Sequence, residues 1–185
     1  MKNKKSMVFI FSVLLVFFLL LLSYKAVLLF TNTAPAQENV FHFLDGKGGL
    51  QSGFTDLEIS HLEDVKQVMK IVDYGFYLLL VVLISITIYY RKDKTFLLEL
   101  LSYAGKVTVI AIVVLGVFSL VFFEAVFSLF HRIFFPQGNW IFAADALLIQ
   151  TFPLEFFTAI SRNIFVATML LGILMILIGK ILKEK

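Results

Sequence analysis

Three histidines, His42, His61 and His131, are the side chains of this sequence best suited to proton transfer near neutral pH. An unperturbed histidine has a pKa of about 6.5, so it can serve as a general base or a general acid. The sequence contains no cysteine, which excludes disulfides, thiolate nucleophiles and cysteine-ligated metals. We therefore expect any chemistry in this chain to depend on histidines and nearby carboxylates.

His61 falls on an amphipathic helix that the sequence predicts to begin near Thr55. The segment Thr55–Glu58 reads Thr-Asp-Leu-Glu, a capping box in which each end residue satisfies the backbone of the other. Apolar residues then recur every three or four positions, and His61 lies within that stripe. Asp64 follows at a helical spacing that lets the two side chains meet. His61 is therefore either a packed interface residue or a catalytic group.

His131 stands beside Arg132 in a second polar and aromatic segment, residues 130–142. Pro136 and Gly138 break the helix there and turn the chain. Aromatic residues mark the membrane–water interface, so their clustering alone indicates no function. The His-Arg pair either anchors a helix end among lipid headgroups or takes part in chemistry.

Glu124 is a further ionisable candidate, six residues before Phe130. At about 1.5 Å per residue it lies about 9 Å inside the membrane from the end of an apolar stretch. Ionisable groups at such depth are functional candidates by default. The structural alternative is a salt bridge to Arg162 or Lys25.

The composition shows which elements must position these residues. Of the 185 residues, 60% are hydrophobic and only 16% are charged, whereas soluble domains carry about 25% charge. So little polar surface cannot cover a globular domain, and a bilayer must solvate much of the chain. This excludes a cytosolic enzyme, a disordered chain and a nucleic-acid-binding module.

The apolar stretches predict an all-α integral membrane protein with four transmembrane helices, since a spanning helix needs about 20 apolar residues. We expect residues 1–185 to form a single membrane domain, and the short second span to borrow a turn from 68–73. A signal peptide is the alternative for the first stretch, whose apolar run is too long for one. The expected spans are 7–30, 74–90, 107–130 and 160–179.

Lysine and arginine are distributed unevenly around these spans, which predicts their orientation. Ten of the 16 basic residues lie on one side, which the positive-inside rule makes cytoplasmic. Both termini are then cytoplasmic, and outer segments 31–73 and 131–159 form a small helical extracellular cap that carries all the histidines. The ten are Lys2, Lys4, Lys5, Arg91, Lys92, Lys94, Lys106, Lys180, Lys183 and Lys185.

No familiar hydrolase, metalloprotease or phosphate-binding motif is present in the sequence. Two histidines amid aromatic residues near the interface favour acid–base chemistry on an amphiphile. A metal site of two histidines and a carboxylate, Asp64 or Glu124, is the chemical alternative. The competing functions are thus a metal-dependent membrane lipid hydrolase and a non-catalytic membrane subunit.

Three stretches of the sequence resemble one known family. Residues 59–66, residues 130–142 and the later 148–157 are similar to motifs of the lipoprotein intramolecular transacylases, called Lit, four-span proteins of Gram-positive bacteria. The second stretch is the most specific, because His131, Pro136, Gly138 and Trp140 fall together there. The resemblance covers both outer segments, and the four-helix layout covers the whole chain.

The resemblance implies an acyltransferase in the bacterial cytoplasmic membrane, with its active site on the extracellular side. Its substrates are diacylglyceryl-modified lipoproteins, whose sn-2 acyl chain moves to the α-amino group of their own N-terminal cysteine. The product is an N-acyl, S-monoacylglyceryl (lyso) lipoprotein. The catalytic residues that it implies are His61 and His131, and we expect no metal, no cofactor and a monomer that contacts membrane lipids.

Other side chains near the two histidines are given roles as a hypothesis. Those that would orient a histidine or donate to a developing oxyanion are Asp64, Arg132 and Asn139. Those that would line the acyl and glyceryl pocket are Phe134, Phe135, Trp140 and Phe142.

Overall fold

The computed structural model describes residues 2–183, and every regular element in that range is an α-helix. The all-α prediction is therefore confirmed. Lys185 lies outside the described residues, as does the side chain of Lys2. The helices are α1 (Lys2–Phe30), α2 (Pro35–Leu44), α3 (Asp56–Tyr89), α4 (Lys94–Val121), α5 (Phe123–Phe134), α6 (Leu147–Thr151) and α7 (Leu154–Ile181).

Four of these helices are long and apolar enough to cross a membrane: Lys4–Phe30 of α1, and α3, α4 and α7. This confirms the prediction of four membrane helices. In the bundle, α4 packs against α7 and α1, and α1 also packs against α7 and α3. The core around Phe11, Leu15 and Leu100 fills the space between these helices.

Helix α3 is longer than a bilayer requires. Its 34 residues extend about 51 Å at about 1.5 Å each, against a hydrocarbon thickness of about 30 Å. Its first half, Asp56–Asp73, holds seven charged residues, whereas Tyr74–Tyr89 holds none. The charged first half therefore projects past the apolar part of the helix, and His61 lies on it.

The predicted capping box begins this projecting half. The Thr55 hydroxyl accepts a hydrogen bond from the Glu58 backbone N–H, and the Glu58 carboxylate accepts one from the Thr55 backbone N–H at 2.7 Å. Two backbone donors at the helix start are thereby satisfied. The local sequence thus places the start of the helix that carries His61.

The third apolar stretch differs from the expected span at 107–130. Helix α4 already begins at Lys94 and ends at Val121, and the chain leaves helical geometry at Phe122 before α5 begins. Glu124 therefore lies in the first turn of a separate helix, exposed, where the helix dipole favours a carboxylate.

Residues 31–73 and 131–159, called the cap below, share a hydrophobic core of their own. Val40, Leu44, Leu62, Leu148 and Phe152 are buried against one another there. Polar contacts add to this packing, since the Gln37 side chain donates to the Thr151 carbonyl oxygen at 2.9 Å. Segments far apart in sequence are thus held together at one end of the bundle.

Candidate active site

The cap brings His61 of α3 and His131 of α5 face to face. Their ring centroids lie 6.4 Å apart, and their planes differ by 24°. His42, in contrast, is exposed on α2, where its Nε2 atom lies 3.8 Å from a Glu38 carboxylate oxygen. The fold therefore pairs two of the three histidines that the sequence offers.

Aromatic rings enclose this histidine pair. Phe135 is buried, and its ring centroid lies 4.7 Å from that of His61 and 5.6 Å from that of His131. Phe142 lies 5.5 Å from His61, and Trp140 lies 4.8 Å from His131. Three of the four aromatic residues expected in a pocket thus contact a histidine directly.

The fourth expected aromatic residue, Phe134, lies further out. It is exposed and contacts Phe130 at a centroid distance of 4.7 Å, and Phe130 in turn contacts His131 at 5.3 Å. Phe127, which sequence reasoning missed, is the closest ring to His131 at 4.0 Å. Its position four residues before His131 on one helix is the signal that places it there.

The tautomer of His131 follows from one backbone contact. Its Nδ1 atom lies 2.8 Å from the carbonyl oxygen of Phe127. A carbonyl oxygen only accepts, so Nδ1 carries the proton and Nε2 keeps a free lone pair. Burial lowers the pKa of His131, and the bond to the carbonyl opposes that effect only in part. His131 is therefore a neutral base at its Nε2 atom.

His61 is the more buried of the two, with 8% of its surface exposed. Burial, together with repulsion from a protonated His131, lowers the pKa of His61 to about 4, although Asp64 and Asn139 partly oppose this. The ring is therefore neutral at physiological pH and able to accept a proton.

A polar cluster lies next to His61 and is formed by Ser60, Asp64, Gln137 and Asn139. The Asn139 amide group donates to Asp64 Oδ2 at 2.7 Å and to Ser60 Oγ at 3.1 Å, and Gln137 also donates to Asp64. Both N–H donors of the Asn139 side chain are therefore engaged within the cluster rather than free for an oxyanion. Asp64 in turn is bound to Asn139 and Gln137.

The Glu58 side chain connects the start of α3 to α6 by hydrogen bonds and thereby stabilises the cap next to the histidine pair. It is 1% exposed, and its carboxylate accepts hydrogen bonds from the backbone N–H groups of Thr55 and Leu148, at 2.7 and 2.8 Å. Burial raises the pKa of Glu58, but the hydrogen bonds from Leu148 and Thr55 outweigh it, and the pKa falls below its usual value. The capping motif was evident in the sequence, whereas the bond to Leu148 was not.

The remaining charged candidates do not approach the histidine rings. Arg132 and Arg162 are exposed on α5 and α7. Lys25 pairs with Asp73 on α3, so the expected alternative of a Lys25–Glu124 salt bridge is wrong. Within residues 2–183, moreover, no three His, Asp or Glu side chains lie close enough together to hold a metal ion.

An open cavity of about 470 Å³ lies beside Phe142. It lies between the start of α3 and the loop before α6, with Thr55, Glu58, Asp145 and Phe142 in its lining. Phe142 also contacts His61, so the cavity and the histidine pair share a wall.

The sequence model of the family described as lipoprotein intramolecular transacylase Lit matches residues 38–157. The chain belongs to the Lit family. The matched region holds both paired histidines, the polar cluster and the cap core. The family resemblance carried by the three stretches 59–66, 130–142 and 148–157 is thereby confirmed.

Solved structures of a Lit protein share this fold. The membrane-integral lipoprotein intramolecular transacylase Lit from Bacillus cereus superimposes with a TM-score of 0.80 at 19% identity, covering 99% of this chain and 97% of that one. A variant of that protein with a histidine replaced by arginine gives 0.77 at 18% identity, covering 99% and 93%. The likeness at these identities is one of fold.

A relative in sequence is an uncharacterized protein of Aquifex aeolicus (strain VF5). It is 28% identical to this chain over 146 residues, which make up 75% of this chain and 65% of the relative. The chain therefore matches somewhat less than two thirds of that relative's length.

Proposed function

We propose that this chain is an intramolecular acyltransferase of bacterial lipoproteins. It moves the sn-2 acyl chain of a diacylglyceryl lipoprotein to the α-amino group of the same N-terminal cysteine, which yields the N-acyl, S-monoacylglyceryl form. The observation that carries this proposal is the pairing of His61 and His131, 6.4 Å apart and enclosed by aromatic rings.

The substrate supplies both reacting groups in this scheme. The amine nitrogen bonds to the ester carbonyl carbon, the carbon–oxygen bond to glycerol breaks, and one proton passes from nitrogen to the departing oxygen. No enzyme nucleophile is needed, which agrees with the lack of cysteine in the sequence. A free α-amine has a pKa of about 7.7–8.0, so the ammonium form first loses a proton to solvent and the neutral fraction attacks. The histidines then carry the second proton from nitrogen to the departing oxygen.

The aromatic enclosure addresses the entropic difficulty of the reaction. Attack closes a medium-sized ring through nitrogen, Cα, Cβ, sulfur, two glyceryl carbons, oxygen and the carbonyl carbon. Holding the two groups together can recover about 7–11 kcal/mol of such a barrier. Phe135, Trp140 and Phe142 contact the histidines, and in this scheme they would confine the acyl and glyceryl groups and limit the access of water. Arg132 and Phe134, on the exposed side of α5, would meet the headgroup and the acyl chain.

We further propose that the cap faces the outside of the bacterial cytoplasmic membrane and that both termini are cytoplasmic, within a single membrane domain. The distribution of basic residues supports this orientation. Lys4 pairs with Asp93 and Lys183 with Glu99, so these inner-side lysines lie at the end of the bundle opposite the cap. Lipoproteins displayed outside the membrane would then reach the histidines, with no cofactor and one chain sufficing.

Mass spectrometry of the N-terminal lipopeptide tests this function. A lipoprotein purified from cells that express the chain should carry an N-acyl cysteine with one glyceryl ester, and the same lipoprotein from control cells should carry a free α-amine with both esters. A free amine and two intact esters in both cells would refute the proposal.

Histidine variants separate catalysis from a structural or non-catalytic role. His61→Ala and His131→Ala should each lower product formation by at least about 100-fold, as expected for the loss of a general acid–base group. His42→Ala is the matched control and should retain full activity, because His42 is exposed on α2 away from the pair. Retained activity at normal protein levels in either site variant would remove that residue from the mechanism.

A further inference from the structure

Two buried polar atoms next to the reaction site lack a hydrogen-bond partner. They are Nδ1 of His61 and Oδ1 of Asn139, both shielded from solvent. Asn139 is 9% exposed and His61 is 8% exposed, so bulk water does not compensate either atom. Buried polar groups are costly when unpaired, so both atoms call for a partner.

The amide of Asn139 has its orientation fixed by its neighbours. Its nitrogen donates to Asp64 Oδ2 and Ser60 Oγ. A carboxylate only accepts, so the amide nitrogen must face Asp64, and the amide oxygen must face elsewhere. The free oxygen can only accept, so its partner has to be an N–H or O–H group.

His61 supplies such a group when its proton sits on Nδ1. Asn139 lies beside His61, because its amide group bonds to Ser60, the residue before His61, and to Asp64, one turn further along α3. In agreement with this position, Asn139 acts to raise the pKa of the His61 ring. The charged groups that act on the ring from the neighbouring elements are His131 of α5 and Asp64 of α3 itself. The tautomer is set by the bond that the ring nitrogen Nδ1 makes.

We propose that Asn139 is a positioning residue, which Asp64 and Ser60 hold so that its amide oxygen accepts a hydrogen bond from Nδ1–H of His61 and leaves Nε2 free for proton transfer. This inference rests on the proposed acyl transfer for its functional meaning. It assigns Asn139 to the orientation of a histidine, whereas sequence reasoning left open an oxyanion role.

The consequence is that both histidines are bases in the same tautomer. His131 already carries its proton on Nδ1 through the Phe127 carbonyl, and Asn139 imposes the same tautomer on His61. Both Nε2 atoms then begin the reaction as acceptors. The proton that reaches the glyceryl oxygen is therefore one that the pair has taken from the amine.

Nuclear magnetic resonance of the full-length protein labelled at histidine tests the assignment directly. Ring ¹⁵N and ¹³C shifts distinguish Nδ1–H from Nε2–H, and three histidines give a spectrum that His42→Gln and His131→Gln assign. We expect His61 to be the Nδ1–H tautomer. Asn139→Leu should lower the ratio of Nδ1–H to Nε2–H by about tenfold, the loss of one hydrogen bond.

Asn39→Leu is the matched control. Asn39 also lies in the cap, where its side chain binds the backbone of Gly49 and Gln51 in the loop before α3. This variant should leave the His61 tautomer unchanged, so a shift in Asn139→Leu alone reports a local effect. An equal shift in both variants would contradict the proposal.

The unsubstituted protein decides the matter even if Asn139→Leu does not fold. His61 found mainly as Nε2–H would overturn the positioning role, as would a ratio that Asn139→Leu leaves unchanged. The lipopeptide assay on the same preparation separates the two proposals. Acyl transfer with Nε2–H at His61 refutes only the positioning role, whereas an Asn139-dependent Nδ1–H without acyl transfer refutes only the proposed function.

Discussion

Burial keeps His61 and His131 neutral, and different contacts fix the tautomer of each ring. His131 bonds to a backbone carbonyl of its own helix, which its position in the sequence makes available. In the proposed arrangement His61 bonds to Asn139, which lies in the distant segment after α5. The first contact follows from helical spacing, whereas the second needs the tertiary fold.

The lowered pKa of His61 makes a prediction about stability against pH. The pKa falls from 6.5 to about 4 on folding, so between these values the unfolded chain binds more protons than the native protein. The contribution of His61 therefore lowers the free energy of unfolding progressively as the pH falls through that window. Above about pH 6.5 the histidine is neutral in both states and does not change the free energy of unfolding. The melting temperature should fall over this range, and should fall less in His61→Gln.

His42→Gln serves as the control for this titration, since His42 is exposed. Burial lowers the pKa of His131 as well, so some pH dependence should remain in His61→Gln. Identical melting curves for His61→Gln and the unsubstituted protein across the window would contradict the prediction.

Glu58 gives a second prediction at the scale of the residue. Glu58→Gln places an amide where both carboxylate oxygens now accept backbone hydrogen bonds. The amide NH₂ group of the new side chain must then face one of these backbone N–H groups, and two donors cannot bond to each other. We therefore expect the free energy of unfolding to fall by about 1–3 kcal/mol, measured as a lower melting temperature. Glu63→Gln, an exposed change on the same helix, should have no measurable effect, and an equal loss in both variants would argue against the buried bonds.

Among the elements, α4 and α7 approach most closely through glycines. A Cβ atom on Gly105 would lie 2.5 Å from the carbonyl oxygen of Gly172, and one on Gly179 would lie 2.7 Å from that of Leu98. Small residues let membrane helices pack through their backbones. This contact supports the frame from which the cap projects.

Gly105→Ala should therefore separate these two helices and lower stability by about 1–3 kcal/mol. Gly75→Ala is the matched control, because a Cβ atom there meets nothing within 4 Å. Alanine favours a helix over glycine by about 1 kcal/mol, so the control should be neutral or stabilising. Thermal unfolding in detergent measures both, and equal melting temperatures would show that the close approach does not limit packing.

The start of α3 and the presence of four apolar helices were predictable because they depend on neighbouring residues. The capping box and the four apolar stretches are examples of such local patterns. The helix break at Phe122, between α4 and α5, could not be predicted, because Val121-Phe122-Phe123 contains no glycine or proline. The bond from Leu148 to Glu58 and the glycine contacts were also hidden, because each joins segments that only the folded chain brings together.

For the whole molecule, the arrangement of ligating side chains makes a prediction about metals. The described residues offer no set of three side chains that could hold an ion, and the proposed reaction draws nucleophile and electrophile from its substrate. Acyl transfer should therefore continue within about twofold of its original rate after chelation and exchange into metal-free buffer. The reason is that the scheme does not need Zn²⁺ to polarise the ester carbonyl. Loss of acyl transfer that added Zn²⁺ restores would contradict this prediction and show that the reaction needs a metal ion.

One of the rings that pack against His131 lies at the surface of the protein. Phe130 contacts His131 and is itself half-exposed, on a face of α5 that also exposes Leu129 and Ile133. A small inhibitor that displaces this ring would approach from the lipid rather than from water. Its potency would then depend on its mole fraction in the bilayer. A ranking of inhibitors by their total molar concentration would therefore reflect their partitioning into the membrane as much as their affinity for the site.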